Sequence, residues 1–170
     1  MTLRQFQIET KSSAEATRAK PLLAALHALR DELGFDRRFS AAEIEEAEEA
    51  RRRGPVSPTH RPRRDARDLP LITIDPAGSR DLDQAVGVKR SGGGFELHYA
   101  IADVASLVAP EGPLDRGSRE RGVTLYCPDL RLPLYPAALS EGAGSLLPGR
   151  DRPALLWTFH LEQDGECRFA

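Results

Sequence analysis

The stretch from Gly54 to Pro70 cannot be regular secondary structure, and it splits the chain in two. It holds Pro55, Pro58, Pro62 and Pro70, a run of arginines, and few apolar residues. Each proline removes a backbone donor and pushes the residue before it away from the helical region, so the stretch reads as a linker. Helical patterning lies before it; strand and turn patterning lies after it. The expected architecture is α+β, with a helical N-terminal module over 1–54, a basic Pro/Arg-rich linker over 55–69, and a second unit over 70–170.

In the first part, Pro21 is expected to open a helix in which Leu22, Leu26, Leu29 and Leu33 recur at helical spacing, with Gly34 as a stop. Ser40-Ala-Ala-Glu43 has the form of a capping box opening a charged helix that Gly54 and Pro55 end. In the second part, the short apolar run Leu71–Ile74 looks like a buried strand that delivers Asp75. Ala85–Val88 and Phe95–Ile101 flank Ser91–Gly94 as a hairpin. Pro113–Arg121 predicts a short helix closed by Gly122, and Leu155–Leu161 a strand. After the turn Gln163–Gly165 a return strand begins at Glu166, and the sequence stops one residue after Phe169. A bare strand edge is an association hazard, so the expectation is a piece of a longer chain.

Composition narrows the class. Forty per cent apolar and 29% charged residues are ordinary for a globular protein. No stretch has the roughly 20 apolar residues needed to span a bilayer, and the N-terminus lacks the apolar core of a signal peptide. Cys127 and Cys167 are too few for a disulfide framework or zinc site. The expected setting is soluble, reducing and cytoplasmic. A net charge of −2 argues against simple electrostatic binding of nucleic acid. The local cluster of Arg51, Arg52, Arg53, Arg61, Arg63, Arg64 and Arg67 can contact phosphate, or can serve only to balance the acidic helix before it.

The segment with the most chemistry runs from Ile74 to Ala85. Asp75 follows an apolar run, a Pro/Gly/Ser loop turns the chain, and Asp81 and Asp83 come next. Residues two apart in an extended segment share a side, so Asp81 and Asp83 can aim at one point while Leu82 faces the core. Three converging carboxylates repel one another unless a cation lies between them. Hard oxygen ligands favour magnesium or manganese, whose usual work is phosphoryl chemistry. From spacing alone, such aspartates also serve as Asx-turn or cap residues. A calcium loop is a further option, although the EF-hand pattern is absent.

The segment Thr73-Ile-Asp-Pro … Asp81-Leu-Asp83 resembles the signature of the RNase II (RNB) family of exoribonucleases. The resemblance continues in order through Tyr99–Val104, Leu114-Asp115 … Arg121-Gly … Tyr126, Pro133–Pro136, Leu139-Ser140 and Ser145-Leu146. It implies a mixed-sheet catalytic domain that hydrolyses single-stranded RNA from its 3′ end to nucleoside 5′-monophosphates. It places Asp75, Asp81 and Gln84 at a Mg²⁺ site that Mn²⁺ can also fill, with Asp83 as the residue most tied to cleavage. Tyr126 falls where the family stacks an aromatic ring on a base, a contact tolerant of sequence. Asp103 and His98 are expected to be structural.

Gln84 stands where the common family pattern has a fourth aspartate. An amide oxygen can ligate a cation but brings no charge. Two unit charges 4 Å apart interact by roughly 4 kcal/mol at an effective dielectric of 20, and a divalent ion doubles that. A catalytically inactive RNB-like RNA-binding or regulatory protein is therefore the alternative reading. The resemblance also implies that an arginine, a second aromatic clamp and an S1 RNA-binding domain lie downstream, so this piece alone is expected to be inactive.

Overall fold

The computed structural model of the chain describes residues 13–34, 38–57 and 62–169. It is an α+β arrangement. Helix α1 spans Ser13–Glu32 and α2 spans Ala41–Arg53. Strands β1 (Gln84–Ser91) and β2 (Gly94–Ala102) form the expected hairpin. Helix α3 covers Pro113–Arg121, with Pro113 in its first turn and Gly122 after its end. The two-residue strands β3 (Leu125–Tyr126) and β4 (Arg131–Leu132) make a small second hairpin. Strands β5 (Ala154–Leu161) and β6 (Cys167–Phe169) complete the larger sheet, whose order is β1-β2-β5-β6 with every pairing antiparallel.

Local chemistry explains α2. The Ser40 side chain accepts from the Glu43 backbone N–H at 3.3 Å, and Glu43 Oε2 accepts from the Ser40 backbone N–H at 2.8 Å. This closes the capping box expected from the sequence. The helix then lays Ala47 and Ala50 against Leu107, Leu114 and Leu139, all fully or almost fully buried. Burying each leucine contributes about 1.5–3 kcal/mol, so this cluster is the main apolar anchor of the fold. The buried face of α2 therefore shares its core with α3 and the turn at Leu139. Where the linker was expected, residues 55–57 and 62–69 are described, whereas residues 58–61 lie outside the described residues.

Two expectations are corrected. Helix α1 already runs from Ser13, so Pro21 lies inside it rather than opening it, and Leu22, Leu29 and Leu33 are at least half exposed. Helical spacing marks a shared face, but it does not supply a partner for that face. Likewise Leu71–Ile74 is not a buried strand: only Ile72 bridges to Val86, and Ile74 is 81% exposed. The run lies over the β1 edge with a single rung of pairing.

In the β1–β2 hairpin, Gly92 has a φ of 58° and makes the turn. At Gly94, the first residue of β2, any Cβ would overlap the Leu161 carbonyl of β5. Only glycine fits that approach.

Candidate active site

The acidic loop between Ile74 and β1 is shaped mainly by backbone contacts. The Ser79 N–H donates to the Pro76 carbonyl at 3.1 Å, with Gly78 at a φ of 86°, which makes a tight turn after Asp75. Beyond it, Ser145 acts as a clasp. Its hydroxyl accepts from the Leu82 N–H at 3.0 Å and donates to the Arg80 carbonyl at 2.6 Å, one residue on either side of Asp81. The Leu146 N–H donates to the Leu82 carbonyl at 2.7 Å. Leu82 is buried, as its place between two outward aspartates requires, while Asp81 is half-buried and Asp83 exposed.

The clasp rests on an unusual turn. Leu139–Ala143 winds as a π-helix, and the Gly144 N–H reaches back to the Leu139 carbonyl at 2.9 Å. Such turns are rare and often mark functional sites. Arg152 ties it down, donating to the Ser145 carbonyl at 2.9 Å and the Gly142 carbonyl at 3.1 Å. Ser145 is only 1% exposed. Sequence reasoning noted Ser145 only as part of a family stretch; its role depends on a contact across 63 residues of chain.

The expected site residues have different surroundings. Among the described residues the Asp75 and Asp83 carboxylates are exposed and accept no hydrogen bond. Asp81 Oδ2 accepts from Arg131 Nη1 at 2.6 Å. The Gln84 Oε1 accepts from the Tyr99 hydroxyl at 2.5 Å. Tyr126 sits in β3, 58% exposed, opposite Arg131 of β4. The tip of that hairpin is held by Arg30 of α1, whose Nη1 donates to both carboxylate oxygens of Asp129 at 2.7 Å.

Three carboxylates and an amide oxygen are hard donors, and by that chemistry they fit magnesium or manganese. Their positions do not close around one point. Among the described residues no group of three or more His, Cys, Asp or Glu side chains lies close enough to hold a metal ion. The convergence expected from the spacing of the aspartates is therefore absent among the described residues. Arg131 claims Asp81 and Tyr99 claims the Gln84 carbonyl, while Asp75 rides on a segment with one rung of pairing.

Asp103 and His98 are both buried. Asp103 Oδ2 accepts from Arg63 Nη2 at 2.8 Å. It makes no side-chain cap on the following helical turn. The His98 Nδ1 lies 3.3 Å from the Thr158 hydroxyl. Its Nε2 is 2.9 Å from Glu96 Oε1 but too poorly aligned for a hydrogen bond.

A separate open groove of about 1000 Å³ lies on the sheet face formed by Ala85, Ala100, Leu156 and Thr158. Arg63, Arg64, Arg67, Arg150 and Arg152 line it, and none of the three aspartates does. Volume alone would select this groove, but the carboxylates that can do chemistry are elsewhere, so the acidic loop is the stronger candidate. Among the described residues no helix is long and apolar enough to cross a membrane.

The acidic loop is thus clasped to the π-helical turn at the start of the antiparallel sheet, beside a hairpin presenting an exposed tyrosine. Residues 63–169 match the family profile of the RNB domain, so the chain belongs to the RNB family. It is 45% identical to ribonuclease R of Escherichia coli (strain K12) over 102 residues, which are 59% of this chain and 12% of that protein. To exoribonuclease 2 of Vibrio parahaemolyticus it is 39% identical over 98 residues, 57% of this chain and 15% of that protein. The fold is similar to that of Mycoplasma genitalium RNase R in complex with ribose-methylated single-stranded RNA. That likeness has a TM-score of 0.71 at 27% identity, and it covers 86% of this chain and 23% of that one. The chain therefore spans a small part of the length of the relatives it matches.

Proposed function

We propose that this chain is the metal-binding front of a 3′→5′ exoribonuclease that hydrolyses single-stranded RNA and releases nucleoside 5′-monophosphates. The observation that carries this reading is the acidic loop, which an RNB domain holds through Ser145 and Leu146 while leaving Asp75 and Asp83 exposed. The named relatives, ribonuclease R and exoribonuclease 2, support it, as does the solved neighbour bound to single-stranded RNA.

In this reading Asp75, Asp81 and Gln84 would hold Mg²⁺, with Mn²⁺ as a substitute. When bound, the cation would help ionise and orient the attacking water and neutralise charge on the leaving oxygen. Asp83 would orient that water through its carboxylate. Tyr126 stacks on a base near the 3′ end, a contact that suits any sequence because every base offers a π face. In the same reading Arg64 and Arg150, which line the groove and have no ion-pair partner among the described residues, would meet backbone phosphates. The division into a helical segment over 1–54, a linker over 55–69 and the RNB portion over 70–170 belongs to the same proposal, as does a cytoplasmic setting.

The test uses the full-length protein and 5′-labelled single-stranded RNA. Cleavage is expected to release mononucleotides from the 3′ end and to stop when EDTA removes divalent ions. Asp83→Asn is expected to cut turnover by roughly 10²-fold or more, the usual loss when a transition-state contact is removed, with RNA affinity retained in EDTA. Cleavage indifferent to EDTA, or undiminished in Asp83→Asn, overturns the reading.

A further inference from the structure

Arg131 stands opposite Tyr126 across the β3–β4 pair, and its guanidinium forks. Nη1 donates to Asp81 Oδ2 at 2.6 Å, while Nη2 donates to Glu141 Oε1 in the π-helical turn. The three side chains are 23–36% exposed, so these pairs are less screened than fully exposed ones. A planar guanidinium fixes direction as well as charge, which a lysine ammonium does not. One arginine thus joins the strand pair that carries the proposed RNA contact, the acidic loop, and the turn that leads to the Ser145 clasp.

Resting on the exoribonuclease reading above, we infer that Arg131 is a positioning residue for Asp81. It fixes the direction of that carboxylate and its register to Tyr126, and Glu141 offsets the arginine's charge. Arg131 alone would neutralise Asp81 and weaken its hold on a divalent cation. With Glu141 included, the trio carries one net negative charge, the same as an isolated Asp81. Among the described residues Asp81 Oδ1 accepts no hydrogen bond, so Arg131 engages only one of the two carboxylate oxygens. Orientation is therefore gained without loss of attraction.

The full-length protein, Arg131→Gln, Arg131→Lys and Glu141→Gln are compared in three measurements. These are steady-state kinetics on single-stranded RNA, Mn²⁺ binding without RNA by electron paramagnetic resonance, and RNA affinity in EDTA; thermal unfolding checks folding. Arg131→Gln is expected to lower kcat about tenfold, equivalent to one 1.4 kcal/mol step, with little change in KM. Arg131→Lys restores part of that loss, because it keeps the charge but cannot fork between two carboxylates. Glu141→Gln leaves the arginine unbalanced and is expected to need about fivefold more Mn²⁺ for half-saturation, with RNA affinity in EDTA unchanged.

A loss confined to KM in Arg131→Gln, or Mn²⁺ affinity unchanged in Glu141→Gln, overturns the inference and leaves Arg131 a simple brace. Should Arg131→Gln fail to fold, the Mn²⁺ titration of Glu141→Gln decides. A parent protein that turns over RNA while the variants match it refutes this inference alone. A parent that neither binds Mn²⁺ nor cleaves RNA refutes the exoribonuclease reading with it.

Discussion

The Tyr99 hydroxyl donates to the side-chain carbonyl of Gln84 at 2.5 Å, reaching along the β1–β2 hairpin to the residue that follows Asp83. A glutamine oxygen has two lone pairs, so one stays open to a cation, but the side chain is committed in direction by the tyrosine. Gln84 therefore acts here as part of the sheet face as much as part of the acidic loop.

Gln84→Asp shortens the side chain away from Tyr99 and adds a carboxylate beside Asp83. The added charge is expected to lower the Mn²⁺ concentration for half-saturation by about tenfold, a fraction of the Coulomb energy between a unit charge and a nearby divalent ion. A Mn²⁺ titration monitored by electron paramagnetic resonance reads this directly. No tightening would remove position 84 from the proposed cation site.

Ser145→Ala deletes the clasp while adding no bulk. The Leu82 N–H and the Arg80 carbonyl lose their shared partner in a buried setting, which costs about 1–3 kcal/mol of stability. Turnover is expected to fall as well, because both groups flank Asp81. Chemical denaturation measures the first effect and RNA kinetics the second. Unchanged stability would mean that Leu146 alone holds the loop.

Glu43 and Arg121 give a pH-dependent prediction. Burial works against the Glu43 charge, but hydrogen bonds from Arg121 and from Ser40 outweigh it and hold the carboxyl below its ordinary value of 4.5. Because the folded value lies below the unfolded one, this stabilisation is complete above about pH 4.5 and fades as pH falls through the folded value. Arg121→Met breaks a buried pair and removes the guanidinium that stacks on Phe39 at 4.6 Å, at an expected cost of about 3–5 kcal/mol at pH 7. Denaturation curves at pH 7 and pH 3.5 should show a smaller acid-induced loss in the variant than in the parent. An equal loss in both would assign the acid sensitivity to other carboxylates.

The legible parts of the fold were those in which a few neighbouring residues decide the outcome. The capping box needs only Ser40 and Glu43; the β1–β2 hairpin needs its alternation and a glycine turn; α3 needs Pro113 and Gly122. The apolar character of Ile72 and Ile74 misled, because hydrophobicity predicts burial only where a second surface is present to bury against. In the candidate site, the aspartates could be picked out by residue type and order. Their actual partners could not: Arg131 lies 50 residues from Asp81, and Ser145 lies 63 residues from Leu82. Contacts at that separation follow from topology and leave no local pattern.

The tract Gly92-Gly93-Gly94 looks in the letter string like a soft spacer, yet its members are unequal. Gly93 has open space around it, Gly92 is there for its torsion angle, and Gly94 is the seam at which β5 comes against β2. Evolutionary drift should therefore pass freely through the second, sparingly through the first and hardly at all through the third. A run of three identical letters thus conceals one position that only a residue without a side chain can occupy.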